Sequence, residues 1–167
     1  MPIRLVELPE AALRALADGD LDRASAAAGA PLTEYFVTGD AKALWRFRLD
    51  QIARDPAHAP WIARAAVAEP DGVVVGHAGY HGAPDENGTV EIAYSVDPAH
   101  RRRGHARAML AALLDRAAAE PSVRTVRASI GPDNAGSLAT IAGHGFVHVG
   151  EQWDEQDGRE LLFERPA

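Results

Sequence analysis

The segment from Val90 to Leu114 constrains the fold most strongly, because its residue pattern changes period within a short stretch. Between Val90 and Val96, apolar residues alternate with polar or small ones, and this period of two predicts a strand with two unlike faces. From Gly104 onward the apolar residues recur at helical spacing and form one stripe: Ala106, Met109, Leu110, Leu113, Leu114 and Ala117. The segment therefore predicts a strand followed, after a short turn, by an amphipathic helix.

The turn between this strand and this helix is basic and ends in a glycine. Gly104 follows three consecutive arginines, Arg101, Arg102 and Arg103. The first turn of a helix has unpaired N–H groups and the positive end of the peptide dipoles, so it stabilises an anion placed there. Gly104 has no side chain to keep phosphate oxygens from its backbone, and the arginines would add charge-assisted hydrogen bonds. A basic run is more often a solvated surface, but its position before a glycine and a helix favours a phosphorylated ligand.

Composition restricts the classes of protein that the chain can belong to. Its 167 residues suit one domain with a full core, and with no cysteine it has no disulfide, thiolate metal site or cysteine nucleophile. The N-terminus lacks an apolar signal core and no run approaches membrane-spanning length, so we expect a cytoplasmic protein without a membrane partner. A net charge of −7 argues against nucleic acid as the main partner. It favours one small polyanion at the basic turn and a cationic amine elsewhere.

The residues of the basic turn resemble a known family. Arg101-Arg102-Arg103-Gly104-His105-Ala106 fits the pattern Q/R-x-x-G-x-G/A that marks the acetyl-coenzyme A loop of the GNAT superfamily of N-acetyltransferases. Tyr94-x-Val96-x-Pro98 precedes it at the spacing that the family shows. A second segment is similar to the family's N-x-x-S…G-F segment through Asn134, Ser137, Gly145 and Phe146. The layout is closest to the ribosomal-protein alanine N-acetyltransferase branch, and the resemblance covers the chain from about Trp61 to its end.

The resemblance implies an α/β (α+β) fold, with residues 1–167 as a single N-acetyltransferase domain. It implies a mixed sheet of about six to seven strands, mostly antiparallel and flanked by helices. The residue pattern independently predicts further strands at 61–68, 73–80, 123–130, 146–153 and 160–163. Because a helix connects strand 90–96 to strand 123–130, these two should run parallel. In the family this pair separates at one end, and the cofactor's thioester arm lies in the gap.

The pattern before Trp61 is weaker. It predicts a strand at about 3–8, helices at 9–17 and 21–28, and a longer helix that is capped by Thr38 or Asp40 and ends at Asp55. Residues 29–39 are predicted to be a loop with some extended character that borders the acceptor site. Trp45 and Phe47 are predicted to pack in the core rather than to contact substrate.

What the resemblance implies for function is direct transfer of an acetyl group from acetyl-coenzyme A to a primary amine, either a protein N-terminus or a small molecule. The residues that it assigns to the cofactor are Ser95, Val96, Arg101, Arg102, Arg103, Gly104, His105, Ala106 and Asn134. A backbone N–H near Val96 would bind the pantetheine arm or help to stabilise the oxyanion, and His105 would be a loop residue beside the phosphates. His77 and His81 are four residues apart on a strand, which is not the helical spacing of a metal pair, so no metal is expected.

Catalysis requires a base, because an ammonium ion cannot attack a thioester, and an acid for the departing thiolate. Glu91 is the candidate base, since many relatives carry a glutamate at this place on the strand, and Asp154 and Glu155 are its competitors. Many family members use a tyrosine as the acid, but that position is Ile141 here. Ser137 is the substitute, because it resembles a serine used in the ribosomal-protein branch.

Two other functions stay open from the sequence alone. The missing tyrosine is compatible with a non-catalytic acyl-coenzyme A sensor or interaction module, which would bind coenzyme without turnover. A nucleic-acid-binding role for the arginine cluster would predict steep salt dependence of affinity. The acceptor depends on residues 29–39 and on the last hairpin, which the motifs do not constrain, and a homodimer is neither required nor excluded.

Overall fold

The computed structural model describes residues 2–167, and within them it contains a mixed sheet flanked by α-helices. The strands are β1 (Ile3–Glu7), β2 (Arg64–Ala68), β3 (Val73–Tyr80), β4 (Thr89–Val96), β5 (Thr125–Ile130), β6 (Val147–Asp154) and β7 (Gly158–Pro166). The helices are α1 (Glu10–Ala17), α2 (Leu21–Ala28), α3 (Gly39–Arg54), α4 (His105–Ala119) and α5 (Ala135–Ile141). Short 3₁₀ turns lie at Glu34–Val37, Pro56–His58 and Pro98–His100.

The sheet has seven strands in the order β1-β2-β3-β4-β5-β7-β6. Neighbouring strands are antiparallel except β4 and β5, which run parallel. Their pairing runs from Thr89 opposite Thr125 to Glu91 opposite Arg127 and stops there, so the strands separate over residues 92–96 and 128–130. This confirms the predicted fold class, including the parallel pair that opens at one end.

Two hydrophobic clusters hold helices against the sheet. One joins α1, α3 and the 3₁₀ turn at Glu34–Val37 to β2 and β3, with Phe36 and Trp45 fully buried at its centre. The other packs α4 against β4 and β5 through Met109, Leu110 and Leu113. The predicted stripe on α4 is confirmed at these three residues and at Ala117, while Ala106 and Leu114 are half-buried. Alternate residues of β5 are buried in the same cluster, as period-two patterning requires.

Gly76 fixes how closely β3 approaches β4. A Cβ atom at this position would lie 2.0 Å from the backbone oxygen of Ser95, and its φ of 156° is one that residues with a side chain rarely adopt. The register between β2 and β3 shifts next to it, between Ala66 and Val67. The glycine therefore lets the second half of β4, which borders the gap, lie against β3.

Residues 29–38 form a loop, as predicted, with extended backbone at Thr33 and Thr38 and a 3₁₀ turn between them. In this turn Phe36 donates its amide to the Thr33 oxygen (2.9 Å) and buries its ring against Trp45. The prediction for Phe47 was wrong. Phe47 is 62% exposed rather than in the core. Two positions along a helix correspond to a rotation of about 200°, so burial of Trp45 turns Phe47 outward. Thr38, rather than Asp40, caps α3.

Strand ends differ slightly from the predictions. β2 begins at Arg64 rather than at Trp61, because Trp61 donates its backbone amide to His58 in a turn (3.0 Å). β5 likewise begins at Thr125, since the amide of Val123 bonds to Glu120 (3.0 Å). Within residues 2–167, no helix has the length and apolar character that crossing a bilayer would require.

Candidate functional site

The opening between β4 and β5 is the centre of three neighbouring cavities. They have volumes of about 710, 590 and 450 Å³, and Tyr94 lines all three. The first lies toward α4 and α5, the second lies under α3, and the third lies between β4, β5 and the β6–β7 hairpin. The separation of the two strands thus produces a branched cleft rather than an isolated pocket.

The first cavity gathers most of the residues predicted to bind the cofactor. Eight of the nine line it: Ser95, Val96, Arg101, Arg102, Gly104, His105, Ala106 and Asn134. Arg103 is exposed and lies outside this lining, so its placement differs from the prediction. The backbone at Arg102 is left-handed (φ 61°), so the chain turns between Arg102 and Arg103. Arg107, in the first turn of α4, lines the cavity although the sequence motif did not single it out.

The N-terminus of α4 opens into this cavity. Gly104 is the N-cap residue with a φ of 82°, a conformation that favours glycine, and no described atom lies within 4 Å of a Cβ built on it. The first amides of a helix have no partner within the helix, so those of His105, Ala106 and Arg107 are available to an anion. A 15-residue helix therefore directs its positive end at the cavity, and Gly104 has no side chain that would cover it.

His105 differs from its predicted role as a loop residue. It is the first residue of α4 and only 4% exposed, because its ring packs beside the helix start rather than projecting from a loop. Burial lowers the pKa of His105, and the positive charge of Arg103 acts in the same direction. Near neutral pH the imidazole is therefore uncharged, so the positive charge at this end of the cleft comes from arginines and backbone.

The backbone of β4 faces the opening beyond Glu91. Asp97 donates its amide to the Val75 oxygen on β3 (2.8 Å), and amide directions alternate along a strand. The amides of Val96 and Tyr94 therefore point away from β3, toward the side where pairing with β5 has ended. Arg101 donates its Nε to the Val96 oxygen (3.2 Å), which fixes the basic turn to the end of the strand.

Glu91 lies at the last paired position of β4 and is half-buried. Its Oε1 accepts a hydrogen bond from Ser129 Oγ (3.0 Å), and its Oε2 lies 3.1 Å from Nδ1 of His81. Burial lowers the pKa of His81, and Arg48 lowers it further, although the Glu91 carboxylate opposes both effects. Glu91 thus has a partly solvated carboxylate held in place from two sides at the wall of the third cavity.

The two competing carboxylates have different positions. Asp154 lines the third cavity, but its Oδ1 accepts the amides of Gln156 (2.8 Å) and Asp157 (2.9 Å). These bonds to Asp157 and Gln156 lower the pKa of Asp154, which makes it a weaker base. Glu155 is exposed on the turn between β6 and β7 and lies outside the cavity lining.

Two residues with hydroxyl groups, Tyr94 and Ser137, line both the first and the third cavity. The amide of Ser137 donates to Asn134 Oδ1 (3.1 Å), the N-cap of α5. Burial raises the pKa of Tyr94, while the nearby hydroxyls of Ser137 and Thr140 act in the opposite direction. Ile141, where relatives carry tyrosine, is 4% exposed and belongs to the core.

Tyr94 was missed as a functional residue, although its position offered a signal. In the sequence it was an apolar member of the alternating strand and the first residue of the Tyr94-x-Val96-x-Pro98 motif, with no catalytic role assigned to it. It lies three residues beyond Glu91, on the part of β4 that leaves β5, so its hydroxyl reaches the gap. His81 was considered only as a metal ligand, yet the β3–β4 register brings its amide to the Glu91 oxygen (2.8 Å).

The second cavity is built by segments that are distant in sequence. The Tyr35 hydroxyl bonds to Ser95 Oγ, and the Tyr35 ring stacks on His77 with ring centres 5.8 Å apart. Trp45 meets His77 edge-on at 5.0 Å and donates its Nε1 to the Phe36 oxygen (2.7 Å). Burial, with a smaller effect of Arg48, lowers the pKa of His77 to about 4. His77 is therefore a neutral packing residue of this wall. Within residues 2–167, no group of three or more His, Cys, Asp or Glu residues is placed so that it could hold a metal ion.

Comparison with known proteins places the chain among acetyltransferases. A sequence model described as "Acetyltransferase (GNAT) family" matches residues 28–146. An uncharacterized N-acetyltransferase, YjdG, of Bacillus subtilis (strain 168) is 35% identical over 74 residues, which are 44% of each chain. The matched part is therefore less than half of that relative. L-2,4-diaminobutyric acid acetyltransferase of Streptomyces anulatus is 30% identical over 139 residues, which cover 75% of this chain and 74% of the relative.

Solved structures share the whole fold. Ribosomal-protein-alanine N-acetyltransferase from Brucella melitensis is 25% identical with a TM-score of 0.59 over 100% of both chains. A GNAT superfamily phosphinothricin acetyltransferase from Sinorhizobium meliloti, solved in complex with AcCoA, is 23% identical with a TM-score of 0.62. The second match covers 99% of this chain and 89% of that structure.

Proposed function

Because the chain belongs to the acetyltransferase (GNAT) family, we propose that it transfers the acetyl group of acetyl-coenzyme A directly to a primary amine. The observation that carries this proposal is the branched cleft: a helix N-terminus, a candidate base and a candidate acid border three cavities that meet at Tyr94. In this proposal residues 1–167 form one N-acetyltransferase domain. We propose the cytoplasm as its location, since a chain without cysteine does not need an oxidising compartment.

Acetyl-coenzyme A fits the first cavity by charge and by shape. Its diphosphate would bind the free amides at the start of α4, with Arg101, Arg102 and Arg107 as cationic partners. The pantetheine arm would extend along the unpaired half of β4 toward Asn134. An extended chain can use strand amides that no neighbouring strand occupies, which is the physical reason for placing the arm in the gap. The site suits the cofactor without requiring a metal ion.

The transfer step follows from what this placement brings together. The amine enters through the second or third cavity, loses a proton to Glu91, and attacks the thioester carbonyl. Negative charge that develops on the carbonyl oxygen would be stabilised by the Val96 amide, which points into the gap. The carbon–sulfur bond then breaks, and the thiolate accepts a proton from a hydroxyl. The second proton of the attacking nitrogen returns to that hydroxyl, while Glu91 gives the first proton to solvent. Amide and free thiol are the products.

Tyr94 is the proposed acid, with the Ser137 side chain beside it in the same two cavities. The raised pKa of Tyr94 keeps its phenol protonated, so the phenol can donate a proton to the departing thiolate. Ser137, the acid inferred from the sequence, keeps a supporting role because a serine hydroxyl is a weaker acid than a phenol. Tyr94 supplies the phenol that is missing at Ile141. The missing tyrosine was the reason to consider a non-catalytic sensor, and that reason no longer applies.

The experiment that tests the function is acceptor-dependent release of coenzyme A. The purified protein is incubated with acetyl-coenzyme A and a panel of amines, and free thiol is measured while the acetylated product is identified by mass spectrometry. The panel contains L-2,4-diaminobutyric acid, a peptide that begins with alanine, and simple diamines. We expect thiol release with one class and a matching mass increase in that acceptor. Coenzyme binding without release for any amine would contradict the transfer step.

A further inference from the structure

Arg48 is a buried charged residue that the sequence did not single out as functional. It lies on α3, is 7% exposed, and lines the second cavity together with Trp45 and His77. Burial is the main influence on the pKa of Arg48 and lowers it, although the negative charge of Glu91 opposes this effect. An arginine in this position is still charged at any physiological pH, so the second cavity has a fixed cation in its wall.

The guanidinium of Arg48 is only partly satisfied. Its Nη1 donates to the backbone oxygen of His81 (3.0 Å) and to Oε1 of Gln51 (2.9 Å). Among residues 2–167, no carboxylate lies within 4.0 Å of this guanidinium, and its Nη2 and Nε donate no hydrogen bond. The negative charge of Glu91 acts on the pKa of Arg48 from a distance, because the carboxylate of Glu91 contacts Ser129 and His81 instead.

Buried charges in proteins are normally paired, because an unpaired ion loses its hydration without compensation. The arginines that do have carboxylate partners, such as Arg127 with Glu164, are more exposed than Arg48. Gln51 and the His81 oxygen fix Arg48 in one orientation, and the planar guanidinium keeps donors available on its remaining edge. Such an arrangement suits a bidentate partner that comes from outside the protein.

We propose that Arg48 binds the carboxylate of the acceptor, so that the second cavity selects an amino carboxylic acid over an amine without a carboxylate. This inference rests on the proposed acetyl transfer and names the acceptor class of the same cleft. The cavity has a volume of about 590 Å³, enough for an amino acid, and its wall also offers the hydroxyl of Tyr35.

One residue links the two ends of this acceptor site. The backbone oxygen of His81 accepts the Arg48 hydrogen bond, while Nδ1 of the same residue lies 3.1 Å from Glu91. Ala93 and Tyr94 line both the second and the third cavity, so an acceptor anchored at Arg48 extends toward Glu91 without crossing the sheet. The carboxylate would hold the acceptor, and the amine would reach the base at the opening of the gap.

The test compares amino acids with their own carboxamides, from alanine through L-2,4-diaminobutyric acid to lysine. Each pair has the same amine skeleton and differs in the carboxylate charge. Binding is measured by calorimetry in the presence of coenzyme A, which allows a complex without turnover, and thiol release from acetyl-coenzyme A is measured separately. Wild-type protein, Arg48→Gln and Arg48→Lys are compared with Arg54→Gln, which changes an exposed arginine near the end of α3.

We expect at least one acid to bind the wild-type protein about tenfold to a hundredfold more tightly than its carboxamide, as a charged hydrogen bond requires. Arg48→Gln should abolish this preference with little change in carboxamide affinity, Arg48→Lys should keep part of it, and Arg54→Gln should keep all of it. Unfolding temperatures check that the variants fold. A preference that survives in Arg48→Gln, equal affinities in the wild type, or no binding across the series would overturn the carboxylate site. Preferential binding of the acid without thiol release would support this site and contradict the transfer function instead.

Discussion

The proposed coenzyme side and the proposed acceptor side of the cleft are built in different ways. The coenzyme side comes largely from one continuous segment, β4, the basic turn and the start of α4, and it offers backbone amides. The acceptor side is assembled from the 3₁₀ turn at Glu34–Val37, α3, the end of β3 and the last hairpin, and it offers side chains. A site made of contiguous backbone needs few particular residues, whereas a site made of distant side chains depends on each of them. Mutations on the two sides should therefore have different consequences.

The largest effect is expected on the acceptor side, at the candidate base. Glu91→Gln keeps the shape of the side chain and its contact with Ser129 but cannot accept a proton. We expect kcat to fall by about a hundredfold to ten-thousandfold, with the affinity for acetyl-coenzyme A unchanged. Steady-state kinetics and calorimetry measure the two quantities. Asp154→Asn is the control and should have a small effect, so a larger loss there than in Glu91→Gln would assign the base to Asp154.

On the coenzyme side, charge at the helix start should matter most. Gly104→Glu would place a carboxylate beside the phosphates, and we expect the affinity for acetyl-coenzyme A to fall about a thousandfold because like charges repel strongly there. Gly104→Ala is the matched control, since it shares the backbone strain at φ 82° but adds no charge. Calorimetric titration compares them. Similar affinities for the two variants would show that no phosphate binds at this position.

Acid sensitivity should separate the two sides as well. His77 in the acceptor-side wall has a pKa of about 4, whereas an unfolded histidine titrates near 6.5. Between these values the unfolded state binds more protons, so His77 destabilises the fold progressively as the pH falls below 6.5. Down to pH 4 the cost is about 3 kcal/mol. Between pH 7 and pH 4, the free energy of unfolding measured with urea should fall by about 3 kcal/mol less for His77→Leu than for the wild type. Parallel losses would mean that His77 is protonated in the folded state.

The proposed acid should give a moderate effect. Tyr94→Phe removes the hydroxyl that contacts Ser137 and Thr140 but keeps the ring in the gap. We expect kcat to fall at least about tenfold, with a smaller loss in Ser137→Ala. Because the pKa of Tyr94 is raised, the alkaline limb of the wild-type kcat profile should lie above the range of an ordinary tyrosine and disappear in Tyr94→Phe. A larger loss in Ser137→Ala would exchange the two roles.

The smallest effect concerns the basic turn. Arg102 lines the first cavity and Arg103 does not, although both belong to the same motif. Arg102→Gln should weaken acetyl-coenzyme A binding by about threefold to tenfold, as expected for one partly exposed charged contact, and Arg103→Gln should leave it nearly unchanged. The two affinities, measured at the same ionic strength, decide between a positioned contact and a diffuse basic surface. Equal losses would favour the diffuse surface.

The difference between the two sides also explains what could be predicted from the sequence. Strand β4, helix α4 and the basic turn between them were predictable because their signals lie in consecutive residues: a period of two, a period of 3.6 and a glycine between them. The parallel pairing of β4 and β5 was predictable from the connecting helix. Even here the sequence did not separate Arg102 from Arg103, because the left-handed turn at Arg102 depends on the three-dimensional context.

The acceptor side was largely hidden from sequence reasoning. No sequence signal distinguished Arg48 from the other arginines of α3, and its buried charge is evident only from the packing around the second cavity. Tyr35 meets Ser95 across sixty positions, a contact that no local pattern encodes. The 3₁₀ turn that holds Tyr35 lies in a segment predicted only as a loop with some extended character, because the burial of Phe36 against Trp45 decides its conformation. His81 beside Glu91 is an intermediate case, since the β3–β4 register could have placed it there.

The occupancy of the gap can be measured by backbone amide NMR during titration with acetyl-coenzyme A. The coenzyme should bind on the separated half of β4 and at the start of α4. The largest shifts are therefore expected at Tyr94, Val96 and residues 105–107, with small shifts at α3. The same titration of Gly104→Glu should produce none of them. Shifts confined to the second or third cavity, or saturation that leaves the Val96 amide unchanged, would contradict a thioester arm lying between β4 and β5.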